Sequence, residues 1–189
     1  MKIYVASSWR NTYQPLVVDV LRKDGHEVYD FKDSEGFHWG EVDANWGNWT
    51  PGQYIRGLSH ECAERGFARD MKALRECDAC VYVMPCGPSA SMEMGWAAGA
   101  GKIVIVYIPE LREPDLMVKM AHIVTADLSA VRGALDPSPF PIDFKEAPTQ
   151  DQIPVYDVLT GETTERKEFP SVGPCPDVVG WEPKISGKP

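Results

Sequence analysis

The sequence has no run of about 18 apolar residues, the length that would read as a membrane-spanning helix. Its start, MKIYVASSW, lacks the basic stretch, long apolar core and small-residue cleavage site of a secretion signal. These two absences predict a cytoplasmic protein with no membrane partner. Basic clusters are equally scarce, with no Lys/Arg run longer than two residues, and 28 acidic against 19 basic side chains leave a formal net charge of −9. Such a chain repels the phosphates of a nucleic-acid polymer and points to a small-molecule ligand instead. The five cysteines (Cys62, Cys77, Cys80, Cys86, Cys175) follow no regular spacing and are expected as reduced thiols. Cys77 and Cys80 form a CxxC, but one ends a helical pattern, the other lies in an apolar strand, and no second pair completes a zinc site. The four histidines (His26, His38, His60, His122) lack ligand spacing, so no metal is expected, and Cys86 has no adjacent histidine to make it a thiol nucleophile. No GxGxxG follows the first strand pattern, which excludes dinucleotide redox chemistry, and no internal repeat is present.

What is there is a chain of 189 residues, 43% of them hydrophobic, enough for one sizeable core and an appendage. KIYVAS reads as a buried first strand. In QPLVVDVLRKDG, Leu16, Val17, Val20 and Leu21 recur at helical spacing, Pro15 suits the first turn and Gly25 the end. HEVYDF follows as a second strand, residues 54 to 76 as one long helix, and DACVYVM as a third strand buried on both faces. Ser89 to Gly101 reads as a helix, KIVIVYI as a fourth strand, roughly 112 to 121 as a helix and HIVTA as a weak fifth strand. Alternating strands and helices predict a three-layer α/β domain of the Rossmann or flavodoxin-like class over residues 1–136. Its parallel sheet has about five strands, and ligands bind beyond their carboxyl ends. Residues 137–189 hold ten of the sixteen prolines and predict an irregular C-terminal extension.

Two segments carry candidate chemistry. Residues 32 to 53 form a long connection holding Phe37, Trp39, Trp46 and Trp49 among acidic residues. These aromatics either stack on a flat ligand ring, with Trp39 a candidate, or pack the loop onto the body or a neighbouring subunit. In PCGPSASMEMGWAAGAGK the chain turns through Pro85, Gly87 and Pro88 into a helix whose first turn contains Ser89, Ser91 and Glu93. Glu93 then sits near the carboxyl edge of the sheet, where a helix N-terminus offers backbone N–H groups and a positive dipole end that keep a carboxylate ionised. Ser followed by Glu at a helix start is equally an ordinary capping signature.

KIYVASSW, RDMKALRECDACVYVM and PSASMEMGWAAGAGK, in that order, resemble the nucleoside 2-deoxyribosyltransferase family and its relatives that hydrolyse nucleotide N-glycosidic bonds. The resemblance covers roughly residues 1 to 125. It rests on Tyr4 and Trp9 around the first strand, Asp70 before the central strand, and Glu93 followed by Met94, Gly95 and Trp96. It implies that Glu93 is the nucleophile attacking the anomeric carbon, that Asp70 orients the sugar or helps protonate the departing base, and that Tyr4 orients Glu93. Ser7 and Trp9 at the end of the first strand, with Gly87, Ser89 and Ser91 in the turn, are the implied substrate-binding positions. The chain departs from the transferase pattern at Gly87, where the family usually carries an Asp; the nucleotide hydrolases place serines in this region to hold a 5′-phosphate. No organic cofactor is needed, the partner is a small nucleoside or nucleotide, and a homo-oligomer is expected because the family completes its sites across subunits. A non-catalytic nucleotide-sensing module and an NAD-cleaving glycohydrolase are the competing readings.

Overall fold

A computed structural model describes residues 1–33 and 36–136, together with two short strands further on. The first unit spans Met1–Ile153 and the second Pro154–Pro189. In the second unit the described elements are β6 (Val155–Tyr156) and β7 (Thr163–Thr164), which pair antiparallel. Otherwise the expectation of an irregular extension over 137–189 lies outside the described residues, as does Cys175.

In the first unit the strands are β1 (Lys2–Ala6), β2 (Glu27–Tyr29), β3 (Ala79–Val83), β4 (Ile103–Tyr107) and β5 (Ile123–Thr125). They form one sheet of order β2-β1-β3-β4-β5, parallel at every pairing. This is the flavodoxin-like order, and its switch point lies between β1 and β3. The helices are α1 (Gln14–Lys23), α2 (Pro51–Gly57), α3 (Glu61–Glu76), α4 (Pro88–Gly99) and α5 (Leu128–Leu135).

Side-chain alternation along the strands sorts the core into two halves. Odd-numbered Ile3, Val5, Ala79, Val81, Val83, Ile105 and Tyr107 pack against Val17, Val18 and Leu21 of α1 and Val131 and Leu135 of α5. Even-numbered Tyr4, Ala6, Cys80, Tyr82, Val104 and Val106 face Leu74 of α3 and Ala90, Met94 and Ala97 of α4. Every residue of β3 is buried, as its unbroken apolar run implies. The parity places Tyr4 on the α3/α4 side, and that decides which helices can bring chemistry to it.

Three expected elements differ. The single helix over 54 to 76 is two, because Leu58, Ser59 and His60 interrupt it. His60 caps α3 through Nδ1, which accepts from the Cys62 N–H at 3.2 Å. Thr50 and Gln53 form a reciprocal capping box on α2. The helix expected near 112 to 121 is a 3-10 turn, Leu116–Met120, capped by Asp115. Finally, α5, capped by Asp127 at 2.8 Å to the Ser129 N–H, has no counterpart among the expected elements. Among the described residues no helix is long and apolar enough to cross a membrane.

Candidate active site

Four side chains from four elements converge on the α3/α4 side of β1. Tyr4, at mid-strand and 1% exposed, faces Tyr29, its register partner on β2; their rings stack at 5.1 Å between centroids and 18° between planes. Tyr29 donates its hydroxyl to Asp70 Oδ1 on α3 at 2.5 Å, and Arg69 Nε donates to the same hydroxyl oxygen at 2.9 Å. Glu93 comes from α4 and interacts with both Tyr4 and Asp70. The structure thus brings together Glu93, Asp70 and Tyr4, and adds Tyr29 and Arg69, which the sequence reading did not single out.

The electrostatics of Glu93 reverse the expectation for a helix start. With α4 beginning at Pro88, Glu93 lies in its second turn, beyond the first-turn N–H groups where the dipole acts. Burial pushes its carboxyl up from 4.5 to about 8, the Asp70 charge pushes it the same way, and hydrogen bonding from Tyr4 opposes both. With its carboxyl at about 8, Glu93 is mostly protonated at neutral pH. Asp70 is raised as well, because burial outweighs the Tyr29 hydroxyl and the Arg69 guanidinium, which both act to lower it. Burial pushes the Tyr4 and Tyr29 phenols far up, so both remain O–H donors. The result is a pair of neighbouring buried carboxyl groups, both raised by burial, of which Asp70 alone has a cation and the Tyr29 hydroxyl against it.

The loop between β3 and α4 is held from below. Asn11, buried at 4% exposure, donates to the Val83 and Pro85 carbonyls at 3.0 and 3.1 Å. Its Oδ1 accepts the Tyr13 and Gln14 N–H groups at 2.7 and 3.0 Å, so one side chain ties the turn to the start of α1. Ser7 Oγ also donates to the Val83 carbonyl, at 2.8 Å, and the Met84–Pro85 peptide is cis. Ser91 Oγ lies 2.9 Å from the Tyr82 hydroxyl and 3.4 Å from the Gly87 carbonyl. Ser89 is exposed, and Gly87 occupies the N-cap of α4 with no side chain capping the helix.

The two tryptophans take different surroundings. Trp9, 48% exposed, stands edge-on to Phe31 at 5.4 Å and to His38 at 6.3 Å. Trp39 is enclosed by Phe37, Trp49 and Tyr54, all within 5.5 Å between ring centroids, so its contacts are those of a packed loop. The loop seats on glycines: a Cβ on Gly66 would lie 2.6 Å from Phe37 Cβ, and one on Gly57 2.7 Å from Trp49 Cη2. A groove of about 310 Å³ between β2 and α3 is lined by Tyr29 and Arg69 and does not include Glu93. Among the described residues no group of three His, Cys, Asp or Glu could hold a metal ion.

No known family profile matches the chain, and no curated protein matches it. Among solved structures, it is similar to a 2-deoxyribosyltransferase of Bacillus psychrosaccharolyticus, at 22% identity over 69% of this chain and 90% of that one, with a TM-score of 0.50. A CMP N-glycosidase of Clostridium botulinum also aligns, at 17% identity over 72% of this chain and 99% of that one, with a TM-score of 0.38. The first likeness establishes the shared α/β fold.

Proposed function

We propose that this chain cleaves the N-glycosidic bond of a (deoxy)nucleoside or its 5′-monophosphate, with Glu93 as the nucleophile. The observation that carries the reading is the coupled pair of Glu93 and Asp70, flanked by Tyr4 and Tyr29 at the switch point of the sheet. A fold in common with a 2-deoxyribosyltransferase supports a nucleoside as the substrate class.

The chemistry needs one proton and one carboxylate, and the pair holds both. As the sugar–base bond breaks, Glu93 bonds to the anomeric carbon and its proton passes by way of Asp70 to the departing base, giving a glycosyl ester and a neutral base. Attack on the anomeric carbon by water, or by a ring nitrogen of a second base, breaks the bond from that carbon to the Glu93 oxygen, returns the acceptor's proton to the pair and frees Glu93. Tyr4 orients the Glu93 carboxyl throughout, and the balance closes without a metal or an organic cofactor.

Hydrolysis of a monophosphate is the second reading. The observation favouring it is Gly87, which leaves the N-terminus of α4 without a carboxylate and beside the exposed Ser89. Such a helix end suits a phosphate. Met92 and Trp96 on α4, with Met120 close to Gly95 of the same helix, are exposed apolar side chains that support assembly as a homo-oligomer. Sedimentation as a monomer at full activity would remove that part of the reading.

The deciding experiment incubates the protein with deoxynucleosides, their monophosphates and NAD, with and without an acceptor base, and separates the products. The expected result is base release that Glu93→Ala lowers by at least ~10³-fold while ligand binding persists. Binding without release from any substrate would favour a nucleotide sensor, and release of nicotinamide alone an NAD glycohydrolase.

A further inference from the structure

We propose that Tyr29 is a positioning residue of this site: stacked on Tyr4 and backed by Arg69, it fixes the Asp70 carboxyl beside Glu93 and donates a hydrogen bond to it, which favours the charged form of Asp70 over that of Glu93. This inference rests on the glycosidic reading above, in which Asp70 and Glu93 have different duties.

Tyr29 touches both Tyr4 and Asp70, the two side chains that interact most closely with Glu93. Its ring stacks on Tyr4 and its hydroxyl donates to Asp70. The Arg69 contact favours that direction of donation. Arg69 Nε donates to the Tyr29 oxygen at 2.9 Å, a guanidinium cannot accept, and the phenol has a single proton, so that proton goes to Asp70. The Arg69 guanidinium lies 5.6 Å from the Tyr29 ring centroid, and its Nη2 is 3.9 Å from Asp70 Oδ1. β2 pairs with β1 at the Tyr4–Tyr29 register, so the strand itself sets where the hydroxyl stands.

The groups facing each carboxyl determine what its loss would do. Asp70 is faced by Tyr29 of β2, by Arg69 of its own helix, by Glu93 of α4 and by Tyr4 of β1. Glu93 is faced by Asp70 and Tyr4, and also by the thiols Cys80 and Cys86. Arg69 is the cation in this set. Without the Tyr29 hydroxyl, Asp70 keeps its burial but loses its neutral donor, and Arg69 loses the acceptor that aims it. Asp70 then competes with Glu93 for the shared proton, and a neutral Asp70 no longer repels charge on Glu93.

Tyr29→Phe isolates this effect because it keeps the ring and its stack. Carboxyl titrations by ¹³C NMR, assigned with Asp70→Asn and Glu93→Gln, follow the proton without requiring turnover. The expected result is an Asp70 titration moved up by about one pH unit, a tenfold gain in proton affinity, with a matching loss of protonated Glu93 at pH 7. The acid limb of the pH–rate profile should rise with it, and kcat should fall ~10-fold to 100-fold at little change in KM. Arg69→Gln should move the same titrations in the same direction, which keeps the test intact if Tyr29→Phe folds poorly. Carboxyl titrations within ~0.3 pH unit of the parent in both variants would overturn the inference, even if activity dropped, and would leave Tyr29 a packing residue. Shifted titrations in a parent protein that releases no base would instead sink the glycosidic reading and leave the positioning role standing.

Discussion

Replacing Glu93 by Gln should stabilise the protein, and by an amount that depends on pH in a calculable way. In the folded chain burial and the Asp70 charge hold the Glu93 carboxyl near 8, against an ordinary value of 4.5 when unfolded. Below pH 4.5 it is protonated in both states and no penalty arises. As pH rises toward 8 the unfolded chain loses the proton and the folded chain keeps it, so stability falls across this window by ~1.4 kcal/mol for each pH unit. The accumulated loss is about 3 kcal/mol by pH 7 and at most about 5 kcal/mol above pH 8. Gln has the shape of the protonated acid, does not titrate, and can turn its amide N–H toward Asp70, so the variant escapes this loss. Urea unfolding of both proteins at pH 5, 6, 7 and 8 gives the comparison, because the titrating groups outside the Glu93–Asp70 pair are common to the two and cancel in the difference. The variant should match the parent within about 1 kcal/mol at pH 5 and exceed it by about 3 kcal/mol or more at pH 8, while losing its activity. A difference that stays flat across the four pH values would refute a buried, proton-holding Glu93.

Two further outcomes test the scaffold around the site. Asn11→Ala removes two donations to the Val83 and Pro85 carbonyls and the acceptor of two N–H groups at the start of α1, leaving buried partners unmet. It should cost ~2–4 kcal/mol in chemical denaturation and lower kcat, and a cost under ~0.5 kcal/mol would show that the turn is held by other contacts. Gly66→Ala puts a methyl 2.6 Å from Phe37 Cβ, so the loop bearing Trp39 must shift away from α3. Destabilisation of ~1–3 kcal/mol with a red-shifted tryptophan emission is expected, and unchanged emission would argue against this seating of the loop.

The sheet was legible because its strands announce themselves locally. β3 and β4 are unbroken apolar runs, and α1 and α4 carry a proline at their start. The break between α2 and α3 was hidden, since apolar spacing runs through it and the cap is a histidine, a residue outside the usual Ser, Thr, Asp and Asn set. Glu93 and Asp70 could be picked out by type and by resemblance, but their electrostatics could not. A carboxylate at a helix start reads as ionised, and only the folded chain shows Glu93 in the second turn of α4, beyond the dipole's reach and buried against Tyr4. Tyr29 gave no local signal at all: a tyrosine in a three-residue edge strand is ordinary until the β1–β2 register sets it beside Tyr4 and α3 sets Asp70 over its hydroxyl.

The proton count of the pair also gives Gly87 a meaning that packing does not. Its φ of −103° and ψ of 178° are ordinary extended backbone, and a Cβ there would meet nothing within 4 Å, so neither conformation nor space requires glycine. A carboxylate at this position would stand at the N-terminus of the helix that carries Glu93. Another negative charge nearby would raise the Glu93 carboxyl further and make the nucleophilic form harder to reach. A pair made of Asp70 and Glu93 alone carries one negative charge once it binds one proton. That is the stoichiometry of the proposed reaction, in which one proton leaves with the base and one returns from the acceptor. The N-terminal end of α4 is then left without a competing anion, the condition under which a phosphate on the substrate gains most from that helix end.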